Sequence, residues 1–124
     1  MSYASINPYT GETLATFPDA TDDEIKAAVA LAHDAFLAWR QTSFAKRARI
    51  LQKAADLLRG NADAYAKLLT LEMGKLFTEA KAEVELSAKI FEYYVRHAET
   101  LLKPEKLPVL DPAEGENLLV HEPL

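Results

Sequence analysis

The sequence predicts a mostly α-helical chain of about four helices, preceded by a short β-hairpin and followed by a β-arm. Three observations carry that expectation. Apolar side chains recur at three- and four-residue steps from Ile25 to Leu102, the period of a helix face. Thr21-Asp22-Asp23-Glu24 has the form of a capping box, which marks a helix start. After Lys103 the texture changes, with prolines at 104, 108, 112 and 123 that exclude continuous helix.

Residues 3–17 alternate loosely around Asn7-Pro8-Tyr9-Thr10-Gly11-Glu12, where proline and glycine turn the chain between two extended runs. The first helix starts at Thr21, whose hydroxyl and the Glu24 carboxylate would each satisfy a free backbone N–H. Its Ile25, Ala28, Val29, Ala32, Phe36 and Trp39 share one face, which something must cover. Thr42 and Ser43 are cap candidates for a second helix with Arg47, Ile50, Leu51, Ala54, Leu57 and Leu58 on one side and Gly60 as a left-handed stop. Asn61 then caps a short third helix with Tyr65, Leu68, Leu69 and Glu72 at helical spacing, ended by Gly74. Glu72 is out of character on that stripe. The fourth and longest helix, residues 77–102, places Phe77, Ala80, Val84, Ala88, Phe91, Val95, Ala98 and Leu102 along one seam. Residues 107–110 and 117–120 read as strands on either side of Asp111-Pro112-Ala113-Glu114-Gly115. The organisation is a hairpin at 1–20, a helical part at 21–102 and an arm at 103–124. Leu124 follows closely on the apolar run Leu118-Leu119-Val120, so the chain reads as cut within an element. A spine helix apolar along its length, and a two-stranded arm that cannot stand alone in water, call for further chain or another subunit.

Composition removes several chemistries. With 49% apolar and 27% charged residues, the 124-residue chain has the make-up of one modest globular domain. Glycines at 11, 60, 74 and 115 are too far apart for a nucleotide-binding loop. The absence of cysteine removes thiolate nucleophiles, disulfides and cysteine metal sites together. His33, His97 and His121 share no metal-ligand spacing, and His97 reads as a surface or helix-end residue. A net charge of −5 argues against nucleic acid as a partner, and Lys46, Arg47 and Arg49 read as a solvated or ion-paired face. Phe91, Tyr93 and Tyr94 point different ways on a helix and serve core or interface anchoring, while Glu83 and Glu85 diverge at i and i+2. Residues 1–20 show no basic start followed by an apolar stretch, and no window approaches a membrane span, so the expected place is the cytoplasm, without membrane contact.

Four landmarks stand in order: Ile6-Asn7-Pro8-Tyr9-Thr10-Gly11-Glu12, Leu71-Glu72-Met73-Gly74-Lys75, the helix from Glu83 to Leu102 with its Tyr93-Tyr94 pair, and His121-Glu122-Pro123-Leu124. Together they resemble the amino-terminal portion of aldehyde dehydrogenases, most nearly the bacterial NAD(P)-dependent succinate-semialdehyde dehydrogenases. The resemblance covers the whole chain, which would be about the first quarter of such an enzyme. It implies that these elements are part of an α/β aldehyde dehydrogenase fold, with the helical part packing on a cofactor-binding domain that this chain lacks. It also implies an oxidoreductase that uses NAD or NADP to convert an aldehyde, here succinate semialdehyde, to the acid. In the family a cysteine thiolate attacks the aldehyde, a hydride passes to the nucleotide and a glutamate activates the hydrolytic water. None of these parts matches a residue of this chain, nor does the family's Pro-Trp-Asn asparagine, so no catalytic or cofactor-binding residue is assigned. The isolated chain is expected to be inactive and to bind no cofactor by itself. The partners implied are the remainder of its own polypeptide and further copies in a dimer or tetramer.

Two site elements carry over from the resemblance. A monovalent cation would be held by the Ile6 main-chain carbonyl and the Glu72 side chain, although the family more often has Asp at that place; otherwise Glu72 faces water or pairs with Lys75. Leu86 and Ile90 would wall the substrate tunnel, against the alternative of ordinary core packing. A second class of function stays open beside the enzyme fragment, a self-contained helical oligomerisation or interaction module without catalysis.

Overall fold

The structure, a computed structural model, describes residues 3–111, 113 and 115–122. Pro112 and Glu114 of the expected arm turn, and Pro123 and Leu124 of the last landmark, lie outside the described residues. Strand β1 (Tyr3–Ile6) pairs antiparallel with β2 (Thr13–Phe17), with a bulge between Ser5 and Ile6. The turn is held by Asn7, whose side-chain oxygen accepts from the Tyr9 N–H at 2.9 Å, while the Gly11 N–H donates to the Asn7 carbonyl at 2.8 Å.

Helix α1 (Asp22–Trp39) starts from the expected capping box: the Glu24 N–H donates to Thr21 Oγ1 at 3.3 Å and the Thr21 N–H to Glu24 Oε2 at 2.8 Å. That bond from the Thr21 backbone is the largest cause holding the Glu24 carboxyl below its usual range. Helices α2 (Phe44–Gly60), α3 (Ala62–Met73) and α4 (Phe77–Leu101) pack on one another, and the α2–α4 contact is the most extensive. Their buried seam is Ala55, Ala66, Ala80, Val84 and Ala88. Small side chains allow close approach, but each methyl contributes only about 0.8 kcal/mol of apolar burial, so the seam positions the helices more than it stabilises them.

The middle of the expected α4 seam is the observed one, with Ala80, Val84 and Ala88 buried and Phe91, Val95 and Ala98 half-buried, whereas Phe77 and Leu102 at its two ends are exposed and Leu102 lies just past the helix. On α2 the expected face is slightly rotated. Ala55 is its buried residue and Arg47, Leu51, Ala54 and Leu58 of the expected face are half-buried, while Ile50 and Leu57 at its edge stay exposed. Gly60 is not a left-handed stop; it is the last helical residue and its φ is not positive. Asn61 closes α2 instead. Its side-chain amide donates to the Leu57 carbonyl at 2.9 Å, so it makes no side-chain cap for α3. Gly74 is the expected left-handed cap, with φ 67°.

The arm consists of β3 (Glu105–Leu107) antiparallel to β4 (Asn117–Leu119), with Leu107 opposite Asn117. The first arm strand thus lies earlier than residues 107–110, since Pro108 has no N–H to give to a ladder. Among the described residues, α1 packs along no other helix or strand and meets α2 at its last residue, Trp39. Its stripe is uncovered, with Val29 at 65% exposure. The corner after α1 is nevertheless ordered. Thr42 Oγ1 donates to the Trp39 carbonyl at 2.7 Å, Arg47 Nε donates to Thr42 Oγ1 at 3.0 Å, and the Arg47 guanidinium lies over the Trp39 and Phe44 rings.

Candidate functional site

The hairpin meets the helices at one place, the end of α3. There the two motifs at either side of a long sequence gap lie against each other. Tyr3, Ser5, Ile6 and Phe17 of the hairpin line an open groove with Glu72 and Met73. Glu72 occupies the last turn of α3, where the exposed carbonyls make the helix end partially negative and a carboxylate is disfavoured. A donor offsets that placement, because Ser5 Oγ donates to Glu72 Oε1 at 2.8 Å. At Gly74 an added Cβ would sit 3.2 Å from Pro8 Cγ, a tight contact that would make the hairpin turn give by a few tenths of an ångström.

Glu72 and Ile6 line the same open groove, and both are exposed; Ile6 is 51% accessible. Glu72 does face water at the helix end, as one alternative had it, while its carboxylate accepts from Ser5; the pairing with Lys75 is not made, because Lys75 forms its ion pair with Glu83 across the α3–α4 turn. Among the described residues no three of His, Cys, Asp and Glu gather as a metal cluster. The donor types in the groove, a carboxylate with main-chain and hydroxyl oxygens, are the hard oxygens that suit an alkali cation. Ser5 was not legible as a site residue. It is an ordinary strand serine, and its partner lies 67 residues away.

Leu86 and Ile90 lie on the outer face of α4, 56% and 48% exposed, so ordinary core packing is not their role within this chain. Tyr93 and Tyr94 continue that exposed face. Their rings do meet, edge to face at 5.3 Å, and Tyr93 also stacks on His97 at 4.6 Å, so adjacent positions did not keep them apart. His97 is exposed near the helix end, as expected.

A charged cluster fastens α2 to α4. Arg59 Nε donates to Glu85 Oε2 at 2.9 Å and Nη2 to Glu85 Oε1 at 3.1 Å, and Arg59 also pairs with Glu92 one heptad further along. These hydrogen bonds are the largest cause holding the Glu85 and Glu92 carboxyls below the usual range, and Glu92, then Glu85, raise the Arg59 guanidinium in return. The seven-residue spacing of the two glutamates was the signal available in the sequence.

No helix among the described residues is long and apolar enough to cross a membrane. A family model described as the aldehyde dehydrogenase family matches residues 1–124. The chain is 55% identical over 105 residues to succinate-semialdehyde dehydrogenase [NADP(+)] 1 of Mycobacterium tuberculosis, covering 85% of this chain and 23% of that protein. It is 43% identical over 122 residues to succinate-semialdehyde dehydrogenase [NADP(+)] of Deinococcus radiodurans, covering 98% and 25%. The crystal structure of succinic semialdehyde dehydrogenase from Streptococcus pyogenes, in complex with NADP+, superposes with a TM-score of 0.86 at 36% identity, over 95% of this chain and 26% of that one. The chain therefore spans about a quarter of the length of the curated relatives it matches.

Proposed function

The chain belongs to the aldehyde dehydrogenase family, and from that premise we propose that it is the amino-terminal structural part of a cytoplasmic NADP-dependent enzyme that oxidises succinate semialdehyde to the acid. The observation that carries the substrate and the nucleotide is the 55% identity to a relative named for both. The nucleotide, bound in a whole enzyme, supplies the acceptor for a hydride. This chain's residues do not fit it: the glycines stand too far apart for a phosphate cradle, and the first turn of α1 is acidic at Asp22, Asp23 and Glu24.

What the chain contributes is a body for the rest of the enzyme to rest on. Residues 21–102 present uncovered apolar faces, on α1 and on α4 around Leu86 and Ile90, to the remainder of the polypeptide and to the substrate tunnel. Residues 103–124 begin the arm that joins copies into a dimer or tetramer. Ile6 and Glu72 hold a monovalent cation where hairpin and helix meet. With no cysteine, the chain has no thiolate to attack an aldehyde, and it is inactive by itself.

The test is an assay of the purified chain with succinate semialdehyde and NADP+, followed as absorbance of the reduced nucleotide. The expected result is no aldehyde-dependent rise above the protein-free blank. Sustained turnover would overturn this reading. Reading the coding sequence onward from Leu124 checks the parent, which should contain Pro-Trp-Asn and later a cysteine.

A further inference from the structure

The amino-terminal hairpin poses a problem of its own. Two strands of four and five residues do not hold together in water, and almost every residue of this pair is exposed. The pair touches the helices only at the end of α3. Two close contacts are made there: the Ser5 to Glu72 hydrogen bond at 2.8 Å and the approach of Pro8 to Gly74. The bulge lies between Ser5 and Ile6, and bulges re-aim side chains out of strand alternation. Glutamate at position 72 also acquires a reason, since its length delivers a carboxylate oxygen to a strand hydroxyl.

We propose that Ser5 and Glu72 form a clasp that seats the hairpin on α3, with Ser5 as the positioning residue that fixes the Glu72 carboxylate over the groove. The clasp shares Glu72 with the cation reading but requires only an acceptor oxygen, whereas an alkali cation requires the charge. That difference makes the two separable.

The test is hydrogen exchange of the hairpin amides in the chain, with α4 amides as the internal reference. Ser5→Ala and Glu72→Ala should each speed hairpin exchange about fivefold, the effect of losing one net hydrogen bond, and leave α4 unchanged. Ser5→Thr and Glu72→Gln keep a donor and an acceptor and should preserve hairpin protection. The Ser5→Ala/Glu72→Ala double variant should exchange no faster than either single variant, because the two share one interaction. Unchanged hairpin protection in Ser5→Ala, or effects that add in the double variant, would overturn the clasp. Replacing sodium by potassium or tetramethylammonium tests the cation separately. If Glu72→Gln keeps the hairpin protected but abolishes a cation response, both readings stand; if the unaltered chain shows no cation response, the clasp stands without the cation.

Discussion

At Gly74 the backbone has φ 67° and Pro8 lies 3.2 Å from where a Cβ would be, whereas Gly60 ends α2 in ordinary helical geometry with nothing within 4 Å of an added Cβ. Alanine should act oppositely at the two. Gly74→Ala forces a side chain into the left-handed region and against a proline ring, a loss of roughly 1–2 kcal/mol before the contact is counted. Gly60→Ala should stabilise by about 0.4–1 kcal/mol, through a stiffer unfolded chain. Denaturant midpoints of the two variants check both signs. Sequence alone treated these glycines alike, because a glycine after a helical run looks the same whether or not the chain reverses there. What distinguished them is Asn61, whose amide takes the Leu57 carbonyl and closes α2 without any left-handed residue. Glu72 was legible as an anomaly because its charge broke an apolar stripe, but its partner Ser5 was not, since a contact across 67 residues leaves no local pattern.

Between elements, the apolar seam of α2, α3 and α4 is thin, and the Arg59 cluster is a second tie between α2 and α4. Glu85 and Glu92 have folded-state acidities strengthened by Arg59, so their contribution is fully present above the ordinary carboxylate value and is lost as pH falls below it through their lowered folded-state values. The Arg59→Met variant keeps the apolar stem but removes the donors and leaves two carboxylates facing one another. Its denaturant midpoint should lie below that of the unaltered chain at pH 7, and the gap should close as acid neutralises the lowered Glu85 and Glu92 carboxyls of the unaltered chain. High salt should narrow the gap at pH 7. A gap that persists unchanged at low pH would mean that Arg59 acts by packing alone. At this scale the helices, their order and the middle of the α4 seam followed from periodicity, and the α1 start from its capping box. The edge of the α2 face did not follow, because a pattern read as one broad stripe cannot say whether a neighbour approaches at Ile50 and Leu57 or at Ala55.

For the molecule as a whole, surface area decides between the enzyme part and a self-contained module. A compact chain of 13.8 kDa would expose about 6,600 Å², and this one exposes 10195 Å². The excess is larger than the roughly 1,000–2,500 Å² that each partner gives to an obligate interface. It is also apolar in the right places. α1 has no buried residue, and Val29, Leu31, Leu86, Tyr93 and Leu118 all stand exposed. Water penalises such a surface in proportion to its area, so the isolated chain should lower its free energy by covering it with whatever is at hand. The expected outcome is that the purified chain enhances the fluorescence of a dye that reports apolar surface, sediments as concentration-dependent oligomers and unfolds over a broad range. A monodisperse monomer whose fluorescence and helicity report one sharp transition would show that the chain covers its own apolar faces, and would favour the self-contained module over part of a larger enzyme.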